Sequence, residues 1–373
     1  LQGGLGDCWF ISALAIIGTR DHLLRGAYHP ENTQEIGDKE ALGMLSGIYC
    51  PIFHYLSEYG IYVIRFFKDF NWRYVIIDDK LPCWRPEDCE PQLIYAKCLN
   101  PEEFWVPLVE KAYAKLFNCY EALNSGIVDD ALNDMTAYVN RKIKIQGKAG
   151  FPSDEAVDAD TFWKKITDFV NNDTLLGCSL PGGGSEREAQ LVIDGEPTGI
   201  LKGHAYSILD VLEIPNPAAQ NDHKSHRLLR LRNPWGFTEW TGDWSDGSPK
   251  LMNNIERINE YIKKAARRDD EFEPFDPEAD DGTFLMSYKD WREIYQTLFC
   301  CVNFPEELSG IRIFDKWTAE TAGGVPKGDA KSTESWKTNP QYKIEVKAQK
   351  SKKTQIFISL AQRDGNFFEC FYF

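Results

Sequence analysis

The chain has 373 residues, enough for two or three compact domains. Hydrophobic residues make up 43% and charged ones 27%, a globular composition that excludes a disordered chain. Lys and Arg total 42 against 57 Asp and Glu, a formal net charge of -15, which argues against a nonspecific grip on nucleic acid or anionic lipid.

Along the chain, the opening "LQGGLGDCWFISALAIIG" sets a glycine-rich turn directly before Cys8 and a continuous apolar run. Such a run reads as a buried helix with Cys8 in its first turn and Gly18 as its stop. In "IYVIRFFKDFNWRYVIIDD" (61–79), two β-branched and aromatic runs flank "KDFN", the pattern of an antiparallel hairpin. Over 104–117 the spacing of Phe104, Leu108, Ala112 and Leu116 predicts a well-buried helix. A second amphipathic helix is expected at 160–172, with Phe162, Ile166, Phe169 and Val170 on one face and Asp160 as its cap.

Beyond that helix, "LLGCSL", "GHAYSILDVLEI" and "HRLLRLRNPWG" read as strands between loops rich in Gly, Pro and Asn. The acidic stretch 264–282 is expected to be a surface excursion. From about 306 the texture is that of the first strands of a sandwich domain, with no strong helix signal. The ten cysteines show no paired metal spacing and read as mostly reduced thiols. No run of about 18 apolar residues suggests a transmembrane segment. The opening lies inside a motif, which points to missing upstream sequence.

Cys8 draws attention because a thiolate is the reactive form, and a helix N-terminus stabilises that anion. Taken alone, a cysteine among aromatic residues is more often a small buried hydrophobe. Among the six histidines, His204 stands at the start of a strand, where it can present a general base to a cleft. Asn233, in "LRNPWG", could orient that imidazole, with Trp235 shielding the bond; an Asn-Pro pair alone is usually a turn. Gln2 lies where a glycine turn could bring its amide beside the thiolate to stabilise an oxyanion.

Four segments, "QGGLGDCWFISALA", "EFWVPLVEKAYAKLFNCYEAL", "KGHAYSILDV" and "LRLRNPWGFTEWTGDWSD", closely resemble the calpain-type papain-like cysteine proteases. The resemblance covers 1–303 in collinear order, and "TAGG" and "SWKTNPQYKI" look like the start of the β-sandwich domain that follows that core. It implies an α+β fold: a papain-like two-lobed core, one lobe helical and one β-rich, then a partial sandwich. The expected division is 1–124, 125–305 and 306–373. By resemblance Cys8 is the nucleophile, His204 the base and acid, Asn233 the orienter and Gln2 the oxyanion donor. Gly126 and Gly203 match glycines that bind an extended substrate.

The resemblance also implies calcium as cofactor. It places Glu103 as a ligand in the first lobe, and Glu239, Asp246, Asp281 and the Ala279 carbonyl in the second; such hard oxygen ligands suit calcium. Thr283 stands where calpains commonly carry another glutamate. The segment "SGIVDDALNDMTAY" departs from the family's glycine-rich pattern, and 26–60 looks expanded. The implied activity is that of a calcium-dependent cytoplasmic endopeptidase, with protein substrates and further domains on the same polypeptide. The competing expectation is a catalytically silent scaffold or partner-binding module.

Overall fold

The computed structural model describes residues 1–24, 48, 56–87, 90–145, 158–182, 189–216, 225–265, 272, 274–303, 313–324, 334–345 and 358. Contacts separate a large compact unit, Leu1–Asn303, from a second, Phe304–Ala361. The expanded region 26–60 lies outside the described residues apart from 48 and 56–60.

Helix α1 (Cys8–Gly18) is apolar on every side, so it is buried all round, as suits a helix passing through a core rather than lying on one. A single turn, α2 (Asp21–Leu24), follows. Strands β1 (Ile61–Lys68) and β2 (Asn71–Asp78) form the expected hairpin, with Asp69 and Phe70 both at positive φ in its two-residue turn. After the short β3 (Cys83–Trp84) and β4 (Gln92–Leu93) pair comes α3 (Trp105–Leu116), whose Tyr113 stacks on Phe10 of α1 at 4.3 Å.

The segment that departs from the family pattern forms a helix, α4 (Val128–Thr136). Its Val128, Ala131, Leu132 and Met135 recur at helical spacing and join the core around α1 and α3. Asp134, also buried, accepts from Tyr113 Oη and Lys68 Nζ, each at 2.8 Å.

The remaining strands build one antiparallel six-stranded sheet in the order β11-β10-β9-β6-β12-β5. These are β5 (Val139–Lys144), β6 (Leu175–Leu180), β9 (His204–Pro215), β10 (Ser225–Arg232), β11 (Thr283–Ser287) and β12 (Thr297–Val302). A small hairpin, β7 (Gln190–Ile193) and β8 (Glu196–Leu201), stands apart from it. The cap of helix α5 (Ala159–Asn171) lies two residues before the expected one, because Asp158 rather than Asp160 accepts the Thr161 N–H at 2.7 Å. It and α8 (Tyr288–Ile294) bury Phe162, Trp163, Ile166 and Trp291 against the sheet.

A third core gathers around the short α6 (Pro249–Met252) and α7 (Ile255–Ala265), where Ile258 and Ile262 meet Leu212 and Leu228. The stretch 264–282, expected to be a surface excursion, lies partly outside the described residues, and those described are mostly exposed or half-buried, with Phe275 as an anchor. Phe275 is buried in that core, and its backbone exchanges two hydrogen bonds with the Asn259 side chain.

In the second unit, no strand forms among the described residues. Glu334–Thr338 makes a 3-10 turn, and the Asn339 amide bonds Gly323 N and Gly324 O. Ile313, Phe314, Trp317 and Ile344 are exposed, and the rest of the stretch expected to form a sandwich lies largely outside the described residues.

Candidate active site

Two serines fix how the nucleophile helix meets the sheet. Ser12 Oγ donates to the Ala205 carbonyl at 3.1 Å, and Ser207 Oγ donates to the Ser12 carbonyl at 2.9 Å; both serines are fully buried. Ser12 lies one turn beyond Cys8, and Ala205 follows His204. The reciprocal bonds therefore set the first residue of α1 beside the first residue of β9, and Cys8 and His204 line one cleft of about 480 Å³.

At the far side of the imidazole, His204 Nε2 lies 2.9 Å from Asn233 Oδ1. Asn233 is fully buried and cannot turn away: its Nδ2 donates to the Phe237 and Thr238 carbonyls at 2.8 and 3.0 Å, and its Oδ1 also accepts the Trp235 N–H. The Oδ1 acceptor selects the tautomer with a proton on Nε2, leaving Nδ1 as the nitrogen that can exchange a proton with a thiol. Trp235 and Tyr206 set their rings edge-on to His204, each 5.2 Å between centroids, and so cover the bond from water.

Gln2 is tied to the same loop, its N–H donating to the Pro234 carbonyl at 2.8 Å. Its side-chain Nε2 donates to the Leu5 carbonyl at 2.6 Å, which fixes the nitrogen end of the amide and leaves its second hydrogen for another acceptor. Gly126 and Gly203 both line the cleft. A Cβ at Gly126 would come within 2.2 Å of the Trp9 ring, and Gly203 holds a φ of 67° that L side chains rarely adopt.

The acidic residues of the second lobe draw together in part. Glu239 accepts the Gly282 N–H at 2.9 Å and Asp281 accepts the Thr283 N–H at 2.7 Å. Burial and the neighbouring Glu239 push the Asp246 carboxyl up, and burial also raises Glu239. Asp246 Oδ1 is buried without a hydrogen bond. Two buried carboxyls raised in this way, one with an orphaned oxygen, fit a bound divalent cation. Among the described residues no three acidic, His or Cys side chains group closely enough to hold a metal alone, so calcium here would also draw on a backbone carbonyl such as that of Ala279. Thr283, at the start of β11, brings no charge to the group. Glu103 is exposed and accepts from Asn100 Nδ2.

Sequence reasoning missed the two serines and a buried carboxyl pair beside the nucleophile. Asp7 and Glu110 are almost wholly inaccessible, and both Glu110 oxygens accept the Ala96 N–H. Burial raises both carboxyls, and the charge of Asp7 raises Glu110 further. The only available signal was Glu110, a carboxylate among the apolar positions of the helix expected over 104–117.

The model of the calpain family cysteine proteases matches residues 1–302, and that of calpain large subunit domain III matches 313–368. The calpain-type cysteine protease DEK1 of Arabidopsis thaliana is 31% identical over 366 residues, 98% of this chain and 14% of its own length. Calpain-8 of Rattus norvegicus is 31% identical over 92% of the chain and 42% of its own length, and calpain-5 of Mus musculus 30% identical over 97% and 52%. The chain thus spans about half or less of the length of these relatives. On the match of its first 302 residues, this chain belongs to the calpain family of cysteine proteases.

Proposed function

We propose that the chain is a calcium-dependent cysteine endopeptidase that cleaves exposed, flexible segments of proteins in the cytoplasm. The observation that carries this reading is the His204–Asn233 bond at the wall of a cleft that Cys8 also lines. In the proposed reaction Cys8 gives its proton to His204 Nδ1, and the thiolate sulfur adds to the peptide carbonyl carbon. The oxyanion meets the Cys8 N–H, at the start of α1 ahead of the Phe10 and Ile11 amides that bond the Asp7 carbonyl, and the second N–H of Gln2. Collapse of the adduct breaks the C–N bond as His204 protonates the departing amine. Water then loses a proton to His204, attacks the thioester carbonyl and releases the acid, restoring Cys8. Asn233 holds the ring throughout and stays neutral.

Calcium, when bound through Glu239, Asp246, Asp281 and the Ala279 carbonyl, would supply positive charge that relieves the repulsion among those carboxylates and fixes the loop carrying Gly282. That loop touches the site directly, since Gly282 O accepts the Asn233 N–H at 2.8 Å. The test is hydrolysis of an unstructured protein by the chain and by its Cys8→Ala variant, with calcium or with a chelator. The reading expects turnover with calcium and a loss of roughly 10³-fold or more in the variant. No turnover by the parent chain under either condition would leave a non-catalytic scaffold instead.

A further inference from the structure

The turn before Cys8 is held peptide by peptide. Its Gly4 N–H donates to the Ile94 carbonyl at 2.9 Å, and its Asp7 carbonyl accepts from the Phe10 and Ile11 amides at 2.8 and 3.1 Å. Between them, the Leu5–Gly6 peptide is gripped at both ends. Its carbonyl accepts from Gln2 Nε2 at 2.6 Å, and its N–H donates to Asn124 Oδ1 at 2.9 Å. The C=O and N–H of a trans peptide are opposite ends of one rigid plane, and no cis bond occurs among the described residues. Asn124, 118 residues from Gly6 in sequence, therefore fixes the angle at which the Leu5 carbonyl meets Gln2. We infer that Asn124 is a positioning residue for the oxyanion donor, acting through the Leu5–Gly6 peptide to aim the second N–H of Gln2. The inference rests on the reading of Cys8 as nucleophile and Gln2 as oxyanion donor.

Asn124 can do this because its own backbone is anchored on both sides. Its N–H donates to the Glu121 carbonyl at 3.2 Å, the Leu123 carbonyl before it accepts from Trp9 Nε1 at 2.9 Å, and the Ser125 N–H after it donates to the Gly6 carbonyl at 3.0 Å. Gly6 thus has its N–H and its C=O taken by consecutive residues of one loop. Trp9 follows the nucleophile directly, so the same loop holds the chain on both sides of Cys8. Gln2, by contrast, has little else to orient its side chain. Among the described residues its Oε1 is buried without a donor, which leaves the Leu5 bond to set the amide. A tilt of the Leu5–Gly6 plane would swing Nε2 and its second hydrogen with it. Asn124 is itself exposed, so water replaces its bond at little cost to folding, and its effect belongs to the chemistry.

The test compares the binding of a peptide aldehyde with that of its alcohol, with calcium present. The Cys8 sulfur bonds to the aldehyde carbon, the C=O π pair moves onto oxygen, and the thiol proton completes a hemithioacetal whose oxygen sits where the oxyanion would. The alcohol binds without that bond, so the ratio of the two affinities reads the nucleophile and its oxyanion donors. Asn124→Leu, close in size but without the acceptor, should cut the ratio roughly tenfold while alcohol affinity and Tm stay close to the parent's. Gln2→Ala should cut it at least as much, and the double variant no further than Gln2→Ala alone, because Asn124 acts through Gln2. A ratio unchanged in Asn124→Leu, or losses that multiply in the double variant, would overturn the inference and leave the protease reading in place. A parent chain that binds aldehyde and alcohol equally would remove the protease reading and the inference with it.

Discussion

His204 is oriented by the Asn233 side chain, which is itself locked in place. Asn233→Ala would free the imidazole to rotate and open the cover formed by Trp235; we predict a loss on the order of 10²-fold in kcat, measured by steady-state kinetics. An unchanged kcat would remove Asn233 from the machinery. The buried pair Asp7 and Glu110 makes a pH prediction with a definite sign. Unfolded, these carboxyls ionise near about pH 4; folded, burial keeps protons on them to higher pH. The folded chain therefore binds more protons over that interval, and the associated stability, complete at low pH, is lost as pH rises through the raised folded values. Glu110→Gln keeps an acceptor for the Ala96 N–H, so its Tm should fall less than the parent's between about pH 5 and about pH 8. Equal slopes would contradict the assignment. At this scale Cys8, His204 and Asn233 were legible because each sits in a local motif that its chemistry explains. Asp7 with Glu110, and Ser12 with Ser207, were not, because each pair is joined only by tertiary packing.

The elements explain how distant segments meet within hydrogen-bond reach. Helix α1 has no exposed stripe to orient it, so specific polar contacts must set its register against β9, and the serines supply them. Ser207→Ala removes the second donor to the buried Ser12 carbonyl, at a cost of about 0.5–1.5 kcal/mol, readable as a lower urea midpoint. Activity should fall with it if the register matters, whereas a midpoint unchanged within error would show that the packing of α1 alone suffices. Helices α1, α3 and α5 and the β1–β2 hairpin could be read from apolar spacing. Helix α4 was passed over because Asp129, Asp130 and Asp134 interrupt its pattern, although Val128, Ala131, Leu132 and Met135 keep the helical period. Helix α7 hid in the same way, its Ile255, Ile258 and Ile262 set among charged neighbours. The strands expected after 306 fall largely outside the described residues.

Across the whole molecule, a chain with 57 acidic side chains gathers some of them where they repel, and a divalent ion would turn that repulsion into stability. Calcium at a hundredfold excess over its Kd should stabilise the folded chain by about 2.7 kcal/mol, seen as a rise in Tm. Asp246→Asn with Glu239→Gln should abolish that rise; the same shift in parent and variant would place the ion elsewhere. The separation of Leu1–Asn303 from Phe304–Ala361 falls where the texture of the sequence changes, and the two family matches divide at the same place. The central claim is that Cys8 is a nucleophile activated through His204. An irreversible thiol-directed peptide probe, applied with calcium and mapped by mass spectrometry, tests it most directly, with exposed Cys83 as the internal comparison. The account predicts rapid modification of Cys8 that His204→Ala slows sharply, while Cys83 reacts equally in both. Modification of Cys83 with Cys8 left untouched, or labelling of Cys8 indifferent to His204, would contradict it.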